Sequence, residues 1–430
     1  HVLPDQTVIV KDGKITAIGA AKKVKIPSGA ERINAKGKYL MPGLGDMHTH
    51  IYPFGQDTVE AVLMLLASYG VTTIRNVDYF PQSKGGYYDT SDSIDLVGPK
   101  VLKYRRLAND GEIVSPRIYT SGPWYRLMVI GDPPKMVMAI LPAGGKGVYD
   151  LMKSYKEKGY DFLKIHDEPR DIIDSVLDAA KKLNIQFMGH VPEYMPIEKA
   201  LTAGYKCIEH LTGYNDKIMS TDGELKTTDT LGLPIKMAKA TVASKQKVWN
   251  CPTLTMNQPT RPSKKILEYP ENQYLTDSTM ARWTRWLNTP ESEEQSFYKD
   301  SARMTRIRYR MVKALHDAGA GLVSGTDAPC LQQVPGPSLH HELSALVRAG
   351  LTPYEALKTS TYNIADYFGT LKEIGTVTVG KRADLVLIDA NPLNDISNTR
   401  KISGVVLNGR WISKQQFDQM LSKHKRKIPM

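Results

Sequence analysis

Between residues 43 and 349 short apolar or β-branched runs alternate with amphipathic helix-forming stretches, and this alternation restricts the chain more than any other feature. The runs are 43–48, 71–77, 117–122, 162–166, 185–190, 207–210, 247–254 and 321–327. The helical patterns are 57–69, 101–110, 148–158, 171–183, 196–203, 234–243, 301–318 and 339–349. Strands separated by helices lie parallel, with the helices covering the sheet. Eight such units predict an α/β fold, a closed (β/α)8 TIM barrel over residues 42–370. An open doubly wound sheet is the competing arrangement. Its dinucleotide-binding form is disfavoured because no Gly-x-Gly-x-x-Gly turn follows the first strand.

The two chain ends read differently. Thr7-Val8-Ile9-Val10 and Ile15-Thr16-Ala17-Ile18 flank Asp12-Gly13, a pair that favours a tight hairpin turn. Near the other end, Gly375-Thr376-Val377, Asp384-Leu385-Val386-Leu387-Ile388 and Val405-Val406-Leu407-Asn408-Gly409-Arg410-Trp411 are again strand-like. Neither end can bury a core alone. The expectation is one small β-sandwich domain made from residues 1–41 and 371–430, with a lysine-rich tail.

Composition adds mainly exclusions. Hydrophobic and charged contents of 41% and 24% are those of an ordinary globular chain. No apolar run reaches about 18 residues, so no transmembrane helix is expected. No secretory signal is visible in a chain that begins at His1; a cytoplasmic location, or a periplasmic or secreted one after signal removal, fits equally. The net charge of +12 is spread along the chain without a nucleic-acid motif. It points to a solvated basic surface and a preference for anionic substrates. Expected partners are therefore a small-molecule substrate and further copies of the chain, with no nucleic acid and no membrane. Cys207, Cys251 and Cys330 are too few and too widely spaced for a disulfide framework or zinc ribbon.

Chemistry-bearing residues recur at the strand ends. His48 and His50, two positions apart after Tyr39-Leu40-Met41, can reach one point in space. Lys164 lies in Phe162-Leu163-Lys164-Ile165-His166. His190 ends Phe187-Met188-Gly189-His190, His210 ends Cys207-Ile208-Glu209-His210, and Asp327 ends Val323-Ser324-Gly325-Thr326-Asp327. Each alone has a bland reading, as a core histidine or a surface lysine. Five strands presenting such residues on one rim is a metal-site pattern. Three connections, 78–100, 123–147 and 255–300 (with Trp283 and Trp286), follow strand C-terminal ends and are expected to form the pocket and a lid, a dimer contact being the alternative.

The chain resembles the amidohydrolase superfamily, in the group with a binuclear metal centre and a bridging carboxylated lysine. The resemblance covers nearly all of it. Besides the stretches above it includes Gly189-His190-Val191-Pro192, Ile208-Glu209-His210-Leu211, Ser324-Gly325-Thr326-Asp327-Ala328-Pro329, Glu342-Leu343, Gly350-Leu351-Thr352-Pro353-Tyr354-Glu355-Ala356-Leu357 and Gly380-Lys381-Arg382-Ala383-Asp384-Leu385. It is most similar to the imidazolonepropionase-like and Xaa-Pro-dipeptidase-like amidohydrolases, and Lys164 points to the dipeptidase-like branch.

The resemblance implies two divalent metal ions, zinc suiting the nitrogen and oxygen ligands best. His48, His50 and Asp327 would hold the first, His190 and His210 the second, with N6-carboxylated Lys164 as the bridge. Asp327 would be the catalytic residue, taking a proton from a metal-held hydroxide and passing it to the leaving amine. The expected reaction is hydrolysis of an amide or peptide C–N bond in a dipeptide, N-acyl amino acid or cyclic amide. A lactone or ester hydrolase using the same centre is the alternative, and a non-catalytic scaffold a remoter one.

Other candidates come from position. His166 shares the strand parity of Lys164, so it is expected inside the barrel, against the centre or in the core. Tyr119, Tyr125 and Tyr194 lie near strand ends and are candidate substrate contacts. His340 and His341 follow the last strand of the alternating region by a short loop; His340 is a further candidate contact, with helix capping or a plain exposed face the favoured reading. Glu209 has parity opposite to His210 and is expected to face the helices. His316 is expected to be structural.

Overall fold

The computed structural model describes residues 2–51, 56–77, 94–122, 128–130, 135–137, 144–219, 225–257, 267–275, 277–288, 301–330 and 333–424. Its strands in chain order are β1 (Gln6–Lys11), β2 (Lys14–Ala20), β3 (Tyr39–Pro42), β4 (Leu44–Thr49), β5 (Val71–Asn76), β6 (Arg117–Thr120), β7 (Met128–Ile130) and β8 (Lys135–Val137). They continue as β9 (Leu163–Ile165), β10 (Phe187–Gly189), β11 (Tyr205–Glu209), β12 (Trp249–Cys251), β13 (Gly321–Leu322), β14 (Leu385–Ile388), β15 (Ile402–Leu407) and β16 (Arg410–Ser413).

The alternating region forms two parallel sheets, β4-β5-β6 and β9-β10-β11-β12-β13, in a TIM-barrel-like α/β fold. Isolated parallel bridges between Ser121 and Phe162 and between Thr49 and Ala328 join the two sheets at both edges. Strand order around the fold thus follows chain order. A cluster including Met47, Val77, Phe162, Met188, Cys207, Trp249, Cys251 and Val323 packs with Ile364 and Tyr367. The larger core includes Leu44, Ile74, Leu163, Ile165, Phe187 and Ile208 from the strands and residues of the covering helices. Two clusters follow from strands that are apolar on both faces.

The helices form where their periodicity requires. In Arg170–Leu183 the buried residues Ile172, Ile173, Val176, Ala179, Ala180 and Leu183 make one stripe, and Asn184 ends it in the left-handed conformation at φ 50°. Some patterns come out shorter or longer than the sequence suggests. The 196–203 pattern yields only Ile197–Ala200, whereas the helix expected from 101 begins earlier, as Ile94–Asn109. The third long connection contains the helix Asp277–Leu287, whose Trp283 is buried in the core. The rest of the three long connections lies largely outside the described residues.

At the chain ends, Asp12 and Gly13 turn the β1–β2 hairpin with φ of 50° and 74°. β3 pairs antiparallel with β14 in the sheet β16-β15-β14-β3, so both ends of the chain share one sheet. The hairpin meets it through a bridge between Lys14 and Arg382 and a cluster of Ile15, Ala383 and Leu385. A helix after β16, Lys414–Ser422, starts with a capping box between Ser413 and Gln416 and buries Phe417 and Leu421. Among the described residues no helix is long and apolar enough to cross a membrane.

Candidate metal centre

The ends of β4 and β13 are locked together by main-chain bonds: Met47 N donates to Ser324 O at 2.9 Å, His50 N to Ala328 O at 2.7 Å and Asp327 N to His48 O at 2.7 Å. Buried Asp46 reinforces the joint, accepting from Thr326 Oγ1 at 2.7 Å and from the backbone N of His48 and Thr326. Burial pushes its carboxyl up to about 6. This joint brings His50 Nε2 to 2.7 Å and His48 Nε2 to 3.3 Å from Asp327 Oδ1.

Several neighbouring backbones are left-handed: φ is 65° at Asp327, 58° at His210, 60° at Leu211 and 45° at Thr253. Such non-glycine conformations cost free energy and persist only where surrounding contacts impose them. On β10 the same demand is met by glycine. Gly189 has φ 145°, and a Cβ there would stand 2.0 Å from Ile165 O. The close approach lets His190 N donate to Ile165 O at 3.0 Å. Gly189→Ala is therefore expected to destabilise the fold by about 3 kcal/mol, read as a lowered midpoint in denaturant unfolding; an unchanged midpoint would contradict this packing.

Ligand-type atoms of His48, His210 and Asp327 lie within 4.8 Å of one another, all three residues being buried. His50, Asp327 and Cys330 form an overlapping group. The ring of His210 is 4.5 Å from His48 and 5.0 Å from His190, and His166 stands 5.0 Å from His190. Lys164 is buried on β9, paired in register with Met188 of β10. Among the described residues no carboxylate forms an ion pair with it.

Each of three imidazoles has its Nδ1 engaged. His48 Nδ1 is 2.6 Å from Glu209 Oε2, His210 Nδ1 is 2.6 Å from Thr253 Oγ1, and His190 Nδ1 is 3.2 Å from Asp167 Oδ2. Where the partner is a carboxylate, which only accepts, Nδ1 is the donating nitrogen, and a neutral ring in this tautomer offers Nε2 to a metal. That tautomer is the one a metal requires, and such outer contacts orient histidine ligands.

For His190 and His210 the electrostatics agree. Burial, then Lys164, lowers His190, and burial, then His48, lowers His210 well below the ordinary histidine range. Burial opposes charge on Asp327, but His48 and His50 hold its carboxyl well below the carboxylate range. For His50, burial is outweighed by Asp327 and Cys330, which push it up to about 10. Buried imidazole nitrogens and a carboxylate oxygen converging from separate strands are a donor set suited to divalent transition ions.

The remaining candidates are scattered. Tyr119 stacks on Phe368 with ring centroids 3.7 Å apart, amid Arg117, Arg382 and Glu373. Tyr194 donates from its hydroxyl to Glu168 O at 2.8 Å. Tyr125 lies outside the described residues. His340 is not brought to the other candidates: its ring nitrogens lie 2.8 Å from Thr399 Oγ1 and 3.0 Å from Tyr69 O, just past the helix Gln56–Ser68. It follows the last strand in sequence, but the helix Pro337–Arg348 turns it toward the β14–β15 connection. A recess lined by Gly43, Gly45, Thr73, Ser360 and Asp384 sits at the N-terminal ends of β4 and β5, away from the histidines.

Glu209 corrects a parity argument. It does not face the helices; it is buried between Arg75 and His48, on the interior parity of Cys207. The left-handed turn at His210 breaks the alternation and directs two consecutive side chains inward. Asp167 and Thr253 were likewise not legible as partners, because their contacts depend on loop conformation. Arg75 did leave a signal, a charged residue inside the run Val71-Thr72-Thr73-Ile74-Arg75-Asn76-Val77.

Residues 39–412 match the amidohydrolase family. The chain therefore belongs to the amidohydrolase family, and with it to the hydrolases. It is 23% identical to an imidazolonepropionase of Rhizobium rhizogenes over 408 residues, covering 90% of this chain and 87% of that protein. Matches to other curated relatives are local: that to a 5'-deoxyadenosine deaminase of Methanobrevibacter smithii, at 32% identity, spans 20% of each chain. Among solved structures, bottromycin amidohydrolase superposes with a TM-score of 0.69 at 23% identity, covering 98% of this chain and 86% of that one. A Xaa-Pro dipeptidase with methionine bound in its active site gives 0.65 at 18% identity, with 95% of each chain covered.

Proposed function

We propose that this protein is a metal-dependent hydrolase that cleaves an amide or peptide C–N bond in a small substrate such as a dipeptide, an N-acyl amino acid or a cyclic amide. The observation behind this reading is the set of imidazoles held by Nδ1, with His48 and His210 converging on Asp327. Placement at strand C-terminal ends supports it, since TIM-barrel active sites lie on that face. We further read the architecture as a closed eight-stranded barrel carrying a β-sandwich of residues 1–41 and 371–430. The two bridges joining the parallel sheets, and the sheet shared by both chain ends, favour it.

In this reading His48, His50 and Asp327 would hold one ion, His190 and His210 would hold a second, and N6-carboxylated Lys164 would serve both. Zinc suits this donor set. A bound pair of divalent ions would supply Lewis acidity toward the scissile carbonyl and an acidified water. Asp327, held by its main-chain bond to His48 O and in contact with both His48 and His50, would accept the proton of the attacking water and return it to the departing nitrogen. Lys164, buried on β9 next to the strand that leads to His190, is the residue that would carry the carbamate. Glu209, Asp167 and Thr253 hold the imidazoles in orientation.

The test begins with elemental analysis of protein prepared without chelator. About two ions per chain are expected, together with hydrolysis of members of a panel of dipeptides, N-acyl amino acids and lactones, and loss of that activity on chelation. No ion bound even after incubation with zinc and bicarbonate would overturn the proposal. Turnover of lactones alone would replace the amide by an ester.

A further inference from the structure

Arg75 lies within β5, fully buried, its guanidinium carbon 5.9 Å from the Phe162 ring centre and 5.1 Å from that of Tyr367. Each of its three nitrogens has a partner. Nε donates to Met47 O at 2.5 Å, Nη1 to the Tyr367 hydroxyl at 2.9 Å and Nη2 to Glu209 Oε1 at 2.6 Å. The other Glu209 oxygen takes the Nδ1 proton of His48 at 2.6 Å. A continuous buried line therefore runs from Tyr367 through Arg75 and Glu209 to His48.

A buried ion pair of this kind is a weak source of stability. The neighbouring interior is Met47, Phe162, Met188, Trp249 and Cys251, and well-packed apolar residues commonly replace a buried ion pair at no loss. What it does achieve is placement. The Nδ1 bond sets the rotation of the His48 ring and leaves Nε2 directed toward Asp327, 3.3 Å away. The Arg75 bond to Met47 O grips the backbone one residue before His48. β11 consequently sets two histidines at once: His210 directly, and His48 through Glu209.

We infer that Arg75 and Glu209, braced by Tyr367, are positioning residues that hold His48 ready as a metal ligand. The inference rests on the metal-centre reading above and deepens it.

The experiment titrates full-length protein with Zn2+ or Co2+ alone, comparing wild type with Arg75→Met, Arg75→Lys and Glu209→Gln. Arg75→Met and Glu209→Gln, folded by circular dichroism, are expected to bind metal about 10- to 100-fold more weakly and to show an altered Co2+ absorption spectrum at saturation. Arg75→Lys should recover part of the affinity. Folded variants with wild-type affinity and spectrum would overturn the brace. If Arg75→Met fails to fold, Arg75→Lys and Glu209→Gln decide by the same readouts. Wild type that binds no metal would instead overturn the metal centre itself, an outcome distinct from wild type and variants binding alike.

Discussion

Replacing Asp327 with asparagine is expected to lower kcat/KM by about 1,000-fold or more, while the protein remains folded. General acid–base groups contribute roughly 100- to 10,000-fold, and here the same carboxylate is also a proposed ligand, so both contributions fall together. The substitution keeps the shape of the side chain. It removes the negative charge that lies against both His48 Nε2 and His50 Nε2. Metal content should fall as well, because those imidazoles lose the anion with which they share the site. Kinetics on whichever panel substrate is hydrolysed, with metal analysis on the same sample, tests this. Activity within tenfold of wild type would remove Asp327 from its proposed role.

Lys164→Ala carries the second large effect. Its side chain is buried on β9, beside the strand that leads to His190. If it serves as a carbamate bridge, alanine removes both oxygens that would link the ions. The expected result is a drop from about two ions per chain to one or none, with activity reduced by about 100-fold or more. Part of the loss should be restored by a high concentration of a short carboxylic acid, which can occupy the vacated space with two oxygens. A variant that keeps both its metal and its activity would rule out the bridging lysine.

Much of the fold was legible because it depends on local periodicity. Alternation of apolar strands with amphipathic helices indicated parallel pairing, and the Asp12-Gly13 turn appears where it was expected. Strand lengths were overestimated: the run at 321–327 forms only β13, Gly321–Leu322, because Ser324 to Asp327 bond to β4 in an irregular path. Short helices such as Asn215–Ile218, and the helix Asp277–Leu287, gave no clear pattern. Their burial is decided by neighbours distant in sequence.

The candidate site divides in the same way. The histidines and Asp327 stood out because several chemistry-bearing residues fell at the ends of predicted strands, a regularity visible along one dimension. Parity misplaced Glu209, since alternation holds only while the backbone stays extended, and at His210 and Leu211 it does not. Sequence position also suggested His340 near the substrate, whereas it packs against Thr399 and Tyr69. By itself, then, the sequence determined the order of strands and helices and which residue types end the strands, because both follow from periodicity and composition along the chain. Only the tertiary structure decided which of those residues meet, and which of Glu209, Asp167 and Thr253 holds which imidazole. Those contacts join positions far apart in sequence, 161 residues between His48 and Glu209 and 277 between His50 and Asp327, and depend on left-handed turns that no local pattern announces.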